Sequence, residues 1–392
     1  MQVPEAPRIS KLDHISSSVY EAGLQCLAKA IWYAQGDRRI LPDHPAAILG
    51  VCFHTVLAAS HYRTLGLDSK AVREAARTLF DRQAATLYED VHPLLREKFS
   101  TPERLPYYNL YRERAALCAM SVVENQAARG ESTHAASRLA AQQSTEVRLH
   151  SADHLIVGRP DHIDADAETV IDYKSAVGAT RDTVSDPEIR QLRLYAYLAF
   201  ENGFSISKGI IIRGDGVRDQ IQITKSEADA EGLNAKKQLQ AINAALADDE
   251  AFEHLASPSV ENCQMCPCLP FCEAFWRKSM PGWADECGVH VEGVLKEVIA
   301  TTAEGVPLVT LRIERQRGTL SSQSACIEQI PQKWLTLEGA TIPKVGDILR
   351  VVHARQSDDD LEVAGLRVDK ALTSLWTVSP KTGDTSANSD GR

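Results

Sequence analysis

Hydrophobic residues recur along this chain with two different spacings, which together separate three regions. Up to about residue 128 they recur every three to four positions, which predicts helices packed through one apolar face. Between residues 146 and 224 short apolar and alternating runs predict strands, with one helix that starts at Asp186-Pro187. After Pro281 strand-like runs return and helical patterns become scarce.

The first region predicts a serine-capped helix over 13–34 and a second helix over 46–62. A third helical stretch, 69–128, is broken near Pro102 and Pro106. The middle region predicts the order strand, strand, strand, helix, strand, strand, and then a charged helix. Helices before and after these strands predict an α/β fold, a mixed sheet flanked by helices.

The C-terminal third reads as five short strands with polar turns, at 291–298, 306–314, 325–330, 346–355 and 360–368. This pattern predicts an all-β, OB-like barrel, a fold often used to bind single-stranded nucleic acid. A β module that docks a partner protein is the other interpretation, because aromatic residues are few (Trp334 and Trp376).

The stretch 155–174 carries the densest candidate chemistry. It reads as two short apolar strands joined by an acidic turn. Because alternate side chains of a strand share a face, we expect Asp172 and Lys174 on one side and Tyr173 on the other. Asp161 closes the preceding strand and is expected to meet Asp172 across the pair. Two carboxylates and an ammonium group suit metal-assisted phosphodiester hydrolysis; a surface hairpin with a solvated ion pair is the alternative.

Composition narrows the class of protein. The chain has 392 residues, of which 44% are hydrophobic, so it has room for two or three domains. A net charge of −10 argues against a protein that coats nucleic acid over its whole surface, but is compatible with a local basic groove. Neither a signal peptide nor a membrane span is indicated, and we expect a cytoplasmic protein. The chain has no phosphate-binding loop of a nucleotide-driven motor.

Cysteines are concentrated in one place. Four of the nine lie within ten residues, at Cys263, Cys266, Cys268 and Cys272. In a cytoplasmic protein such crowding indicates metal binding rather than disulfides. Four thiolates suit either a 4Fe–4S cluster or a tetrahedral zinc ion, and the spacing does not separate these two.

Six motifs occur in a fixed order along the chain: Ser16-Ser17-Ser18-Val19-Tyr20 followed by Cys26, Gly50 to His54, Gly158-Arg159-Pro160-Asp161, Asp172-Tyr173-Lys174, Gln191 to Tyr195, and Cys263, Cys266 and Cys272. In this order they resemble the iron–sulfur branch of the PD-(D/E)XK nucleases, which includes RecB/AddB nuclease domains and the CRISPR-associated adaptation nuclease. The resemblance covers residues 13–276, and its specificity lies in the order, since each motif alone is weak.

The resemblance implies a restriction-endonuclease-like PD-(D/E)XK core with an iron–sulfur clip. It implies a catalytic Mg²⁺ or Mn²⁺ ion whose ligands are His54, Asp161, Asp172 and the carbonyl of Tyr173. Lys174 would position the attacking water, and Gln191 and Tyr195 would contact DNA or order the site. It also implies a 4Fe–4S cluster on Cys26, Cys263, Cys266 and Cys272. Cys268 departs from the family pattern, because it offers a fifth thiolate.

These observations predict a nuclease domain over 1–282, an OB-like barrel over 283–378 and a disordered tail over 379–392. The predicted function is a metal-dependent deoxyribonuclease, an exonuclease acting on single-stranded or end-bearing DNA in repair, recombination or anti-phage defence. Without a motor of its own, the protein would act alone or beside a separately encoded helicase or defence protein. The alternatives are a non-catalytic DNA-binding or scaffold subunit, and a zinc-clipped structural protein.

Overall fold

The fold is described from a computed structural model. The described residues are 1–6, 10–37, 40–66, 68–128, 145–175, 183–247, 252–284, 288–357, 362–369 and 371–378. The predicted disordered tail and Cys287 lie outside them, as does most of the loop expected before Asp186.

Contacts divide the chain into two compact units. We call the unit formed by Arg8–Arg39 and Asp43–Ala251 the core unit. The terminal unit consists of Met1–Pro7, Ile40–Pro42 and Phe252–Arg392. The domain boundary between residues 282 and 283 stays a prediction from the sequence.

The first half of the core unit is helical, as its hydrophobic spacing predicts. The helices are α1 (Ser17–Gln25), α2 (Leu27–Gln35), α3 (Pro45–His61), α4 (Ser69–Glu89), α5 (Pro93–Lys98) and α6 (Tyr108–Ala128). The single helix predicted over 13–34 is wrong, because Cys26 has an extended backbone (φ −158°, ψ 121°) that separates α1 from α2. The Cys26 N–H still donates to Ala22 O and its carbonyl accepts from Ala30 N, so the break leaves both groups bonded.

The sheet of the core unit is mixed. A short pair, β1 (Leu149–His150) and β2 (Val157–Gly158), precedes a four-stranded sheet in the order β3-β4-β5-β6. Its strands are β3 (His162–Asp164), β4 (Thr169–Lys174), β5 (Lys208–Arg213) and β6 (Arg218–Gln222). Only β4 and β5 pair in parallel among these described strands, and helix α7 (Asp186–Glu201) connects them, as a parallel pair requires.

Helix α7 starts differently from the prediction. Ser185, and not Asp186, is the N-cap, and a capping box with Glu188 closes the first turn. Helix α8 (Lys225–Ala247) follows β6. The buried core of the first half joins α3, α4 and α6 to the sheet through Tyr173 and Ile212, so one face of β4 points into packed side chains. The predicted mixed sheet flanked by helices is confirmed.

Among its described residues, the terminal unit carries six strands where the sequence predicted five. Short helices α9 (Val260–Cys263) and α10 (Glu273–Lys278) precede the strands, and α11 (Gln332–Leu335) lies among them. The strands are β7 (Val289–Ala303), β8 (Val306–Gly318), β9 (Ser324–Pro331), β10 (Ile348–Gln356), β11 (Val363–Arg367) and β12 (Ser374–Val378).

Strand pairing in the terminal unit runs in a closed circuit. Strand β7 pairs with β8, β8 with β9, β9 with β11, β11 with β10, and β10 with β7. The β9–β11 pairing is parallel and the other four are antiparallel. Strand β12 pairs antiparallel with β10. The Val3 N–H donates to the carbonyl oxygen of Thr377 on β12 (3.0 Å).

A buried ion cluster joins α10 to the strands of the terminal unit. Arg350 on β10 is 2% exposed, donates to Glu292 on β7 (2.7 Å) and to Pro270 O (2.8 Å), and also pairs with Glu273. Its guanidinium lies over the ring of Trp276. Buried charges need such partners, because an unpaired one is costly. Within the described part of the chain, no helix is long and apolar enough to cross a membrane.

Candidate active site

Asp161 lies at the centre of the site. It stands just before β3, and its Oδ2 accepts a hydrogen bond from the Tyr173 backbone N–H on β4 (2.6 Å). Its Oδ1 lies 3.0 Å from Nδ1 of His54, a half-buried residue on α3. The Asp161 carboxylate therefore connects helix α3 to the β3–β4 hairpin.

Asp172 and Lys174 lie on the same side of β4, because side chains alternate along a strand. Their Oδ2 and Nζ atoms are 2.7 Å apart. Asp172 is 4% exposed, whereas the Lys174 side chain is 30% exposed. The carboxylate is therefore buried, whereas the lysine side chain is partly exposed.

Helix α7 positions the ammonium group of Lys174. Nζ of Lys174 donates to Oε1 of Gln191 (2.6 Å), and Nε2 of Gln191 donates to the Tyr195 hydroxyl (3.1 Å). Gln191 and Tyr195 are four residues apart on the helix and share a face. The Tyr195 hydroxyl also lies 3.4 Å from the Ser17 hydroxyl, at the start of α1. This chain of contacts links Lys174 to the N-terminus of α1.

The ring of Tyr173 faces away from the carboxylates into the core. Its hydroxyl lies 2.9 Å from Nε2 of His61, whose ring stacks on His162 with centroids 3.9 Å apart. Burial, and then the neighbouring His162, lowers the pKa of His61 well below its usual value, so His61 is neutral at neutral pH. The Tyr173 side chain therefore anchors β4 to the helical core through His61. The Tyr173 backbone N–H donates to Asp161.

Glu146 is a site residue that the sequence analysis missed. One carboxylate oxygen of Glu146, one of Asp161 and a ring nitrogen of His54 all lie within 4.8 Å of one another. Glu146 has a left-handed backbone (φ 53°), and its N–H donates to the Asp161 carbonyl (3.1 Å). The sequence predicted Glu146 as the first residue of a strand over 146–150, and a single acidic residue there gave no motif that could have identified it as a site residue.

Crowding of the carboxylates changes their protonation. Burial raises the pKa of Asp172 to about 6; attraction to Lys174 opposes this effect and repulsion from Asp161 adds to it. Burial and then the Asp161 charge raise the pKa of Glu146 to about 7. Burial lowers the pKa of His54, but the Asp161 carboxylate outweighs burial and the net shift is upward. The site therefore favours a compensating positive charge.

The donor set fits a divalent cation. His54, Glu146 and Asp161 offer one imidazole and two carboxylates in mutual reach, and Asp172 adds a buried carboxylate close enough for Asp161 to raise its pKa. Carboxylate oxygens are the ligands that hard cations such as Mg²⁺ prefer, and imidazole is also accepted by transition metals such as Mn²⁺. Excess negative charge in a partly buried site is stabilised by such an ion.

The cysteine-rich segment belongs to the terminal unit. Cys266, Cys268 and Cys272 are buried and Cys263 is half-buried. Backbone hydrogen bonds from Cys266 N to Cys263 O (3.0 Å) and from Cys272 N to Cys268 O (2.8 Å) form two consecutive tight turns. Cys26, the fourth predicted ligand, lies in the core unit. The four cysteines are close in sequence, and thiolates are the donors of structural zinc and iron–sulfur sites. Among the described residues, they do not form a group of three metal-ligating atoms within 4.8 Å of one another.

A mixed sheet that brings a buried carboxylate (Asp172), a half-buried carboxylate (Asp161), a histidine and a lysine together is typical of a metal-dependent hydrolase. Within that class, the sequence model of the PD-(D/E)XK nuclease superfamily matches residues 14–273, and the chain belongs to this superfamily. Its members are metal-dependent nucleases. A search of the curated proteins finds no match to the chain.

Proposed function

We propose that the protein is a Mg²⁺- or Mn²⁺-dependent deoxyribonuclease that hydrolyses phosphodiester bonds. The observation that supports this most is the position of Lys174, whose ammonium group contacts Asp172 on one side and Gln191 on the other. A solvated surface ion pair would not bury Asp172 or require a second partner from another helix. The superfamily match supports the same chemistry.

The cation would be held by His54, Asp161 and Asp172 with the Tyr173 carbonyl, and Glu146 is a further candidate ligand. When bound, such an ion supplies an acidified water molecule and positive charge next to the phosphoryl oxygens. The chain's own residues prepare the site: Lys174 presents a fixed ammonium group for the attacking oxygen or the developing negative charge. Gln191 and Tyr195 restrict the rotamers of that lysine.

We further propose that the substrate is single-stranded or end-bearing DNA and that the protein acts as an exonuclease in repair, recombination or anti-phage defence. We also propose that it acts beside a separately encoded helicase or defence protein. These assignments rest on the sequence resemblance.

For the terminal unit we propose an OB-like barrel, since five strands pair in a closed circuit with one parallel contact. Trp334 and Trp376 are 4% and 2% exposed, so neither ring can stack on a base. This burial favours the partner-docking interpretation of the unit over strand binding by stacking.

For the cysteines we propose a 4Fe–4S cluster on Cys26, Cys263, Cys266 and Cys272. Burial of Cys266 and Cys272 and the tight turns around them support a thiolate site. Zinc would suit the same donors, and broad absorbance near roughly 400 nm in anaerobically purified protein would distinguish iron.

The test uses end-labelled single- and double-stranded DNA, linear and circular, with Mg²⁺ or Mn²⁺. We expect the parent to degrade DNA, and we expect Asp172→Ala and Lys174→Ala to remove the activity while circular dichroism stays unchanged. DNA binding without hydrolysis by the parent would instead support a non-catalytic subunit. Equal cutting by both variants and the parent would overturn the site assignment.

A further inference from the structure

A polar groove lies beside the candidate active site, inside the core unit. Its volume is about 570 Å³, and its walls are the segment 10–16, the end of α2 and the β1–β2 pair. The walls are built by specific contacts: Ser10 N donates to Gln35 Oε1 (3.1 Å), and Ile15 N donates to Leu155 O (2.9 Å). We call it the basic groove, after its lining residues Lys11, His14, Ser16, Tyr33, Arg148 and Arg159.

Positive charge dominates the lining. Lys11, His14, Arg148 and Arg159 are all exposed, and among the described lining residues Asp13 is the one carboxylate. Burial is the main cause that lowers the pKa of nearby His150, and the positive charge of Arg148 adds to it. The protein has a net charge of −10, but positive side chains are concentrated in this groove. The groove is therefore a candidate site for an anion.

The N-terminus of α1 adds to the same potential. Helix α1 spans nine residues, Ser16 caps it through Val19 N, and no acidic residue lies in its first turn. A helix N-terminus attracts phosphate groups through its unpaired N–H groups and its dipole. The N-cap residue of α1, Ser16, lines the groove together with the positive side chains. The helix N-terminus and these side chains are two separate features that both favour an anionic ligand.

The groove leads directly to the proposed catalytic residues. Arg159 lies two residues before Asp161, and its guanidinium pairs with Glu146 (2.9 Å). On the other side, the start of α1 connects through Ser17, Tyr195 and Gln191 to Lys174. A polymer bound in the groove would therefore continue onto the carboxylates.

We propose that the basic groove binds the sugar–phosphate backbone of a single DNA strand next to the bond that is cleaved. The proposal rests on the proposed nuclease function. A volume of 570 Å³ lies within the range of small-ligand sites, which suits a short piece of one strand and is too small for a duplex. Cationic grooves with an aromatic wall, here Tyr33, are typical of single-strand binding.

The test measures binding of a fluorescent oligothymidylate by anisotropy, with Ca²⁺ replacing the catalytic ion, across a range of salt concentrations. We expect Lys11→Glu and Arg148→Glu each to weaken binding about fivefold or more and to flatten the salt dependence by about 0.7 in slope per lost phosphate contact. Arg82→Glu is the matched control, because Arg82 is exposed on α4 and does not line the groove; it should bind as the parent does.

A second readout separates the groove from the chemistry. Hydrolysis of bis(p-nitrophenyl) phosphate with Mn²⁺ needs the catalytic residues but no strand, so the groove variants should keep the parent's rate. Unchanged binding in Lys11→Glu and Arg148→Glu, or an equal loss in Arg82→Glu, would overturn the groove and leave the nuclease proposal standing. A parent that binds the strand but hydrolyses neither substrate would overturn the nuclease proposal and leave the groove standing.

Discussion

Replacing Asp172 with asparagine should stabilise the metal-free protein at neutral pH while removing its activity. Asp172 is 4% exposed and its pKa is raised from 3.8 to about 6. Since the folded protein holds this proton more tightly than the unfolded chain, stability falls as pH rises from about 4 to about 6. The loss reaches about 3 kcal/mol above pH 6, at about 1.4 kcal/mol for each tenfold change in proton affinity.

Asparagine keeps the shape of the side chain without the charge, so the variant escapes this loss. We expect a melting temperature roughly 6–12 °C above that of the parent at pH about 8, since about 1 kcal/mol corresponds to 2–4 °C in a unit of this size. The difference should shrink as pH approaches about 4. Scanning calorimetry without Mg²⁺ or Mn²⁺, at several pH values, measures it.

Glu188 provides a control of opposite sign in the same unit. Burial would raise its pKa, but hydrogen bonds from Arg213 and Ser185 outweigh burial and lower it to about 2. Glu188→Gln should therefore lose about 1–3 kcal/mol at neutral pH, after allowance for solvent screening, and this loss should disappear as pH falls toward 2. Adding Mn²⁺ should stabilise the parent more than Asp172→Asn, because the variant keeps His54, Glu146 and Asp161 but loses one carboxylate. If Asp172→Asn melts below the parent at pH 8, Asp172 is a structural ion-pair partner and the reasoning fails.

Three further results are expected. Lys174→Met should abolish DNA hydrolysis while Mn²⁺ still raises the melting temperature, because the lysine is not a cation ligand; loss of both effects would contradict its assigned role. Cys266→Ser should lose metal-bound absorbance whereas Cys268→Ser should retain it, and the reverse result would make Cys268 the ligand. Arg350→Met should destabilise the terminal unit by about 3 kcal/mol in urea, because the buried Glu292 loses its partner at 2.7 Å and keeps the more exposed Arg317 at 3.3 Å, and Arg350→Met/Glu292→Leu should recover most of that loss.

The parts of the fold that could be predicted are those in which hydrophobic residues recur at a regular spacing. The 3.6-residue spacing of buried positions identified α3, α4 and α6, and two-residue alternation placed Asp172 and Lys174 on one side of β4. The break at Cys26 was not predictable from spacing, because both neighbouring segments are helical and the chain's hydrogen bonds continue through it. Strand β12 was missed because it is short and borders a polar tail.

The same contrast holds for the candidate site. His54 and Asp161 could be named because each lies in a short motif, although their 3.0 Å contact joins residues more than a hundred positions apart. Glu146 could not be named, because its place depends on a left-handed backbone and on the Asp161 carbonyl rather than on any local pattern. Long-range geometry of this kind becomes visible only when the chain is folded.

The two units differ in when they can be completed during synthesis. The terminal unit includes residues that precede the core unit in the sequence and residues that follow it. The Val3 N–H donates to the carbonyl oxygen of Thr377 on β12. At about 5–20 residues per second, a ribosome needs roughly 7–26 s to extend the chain from Ala247 to Val378. The core unit can therefore fold while the circuit of strands is still incomplete, and the N-terminal residues must wait for the last strand to emerge. A protein stalled before β12 would expose an unpaired edge of β10, and that edge is where misassembly of the nascent chain should begin.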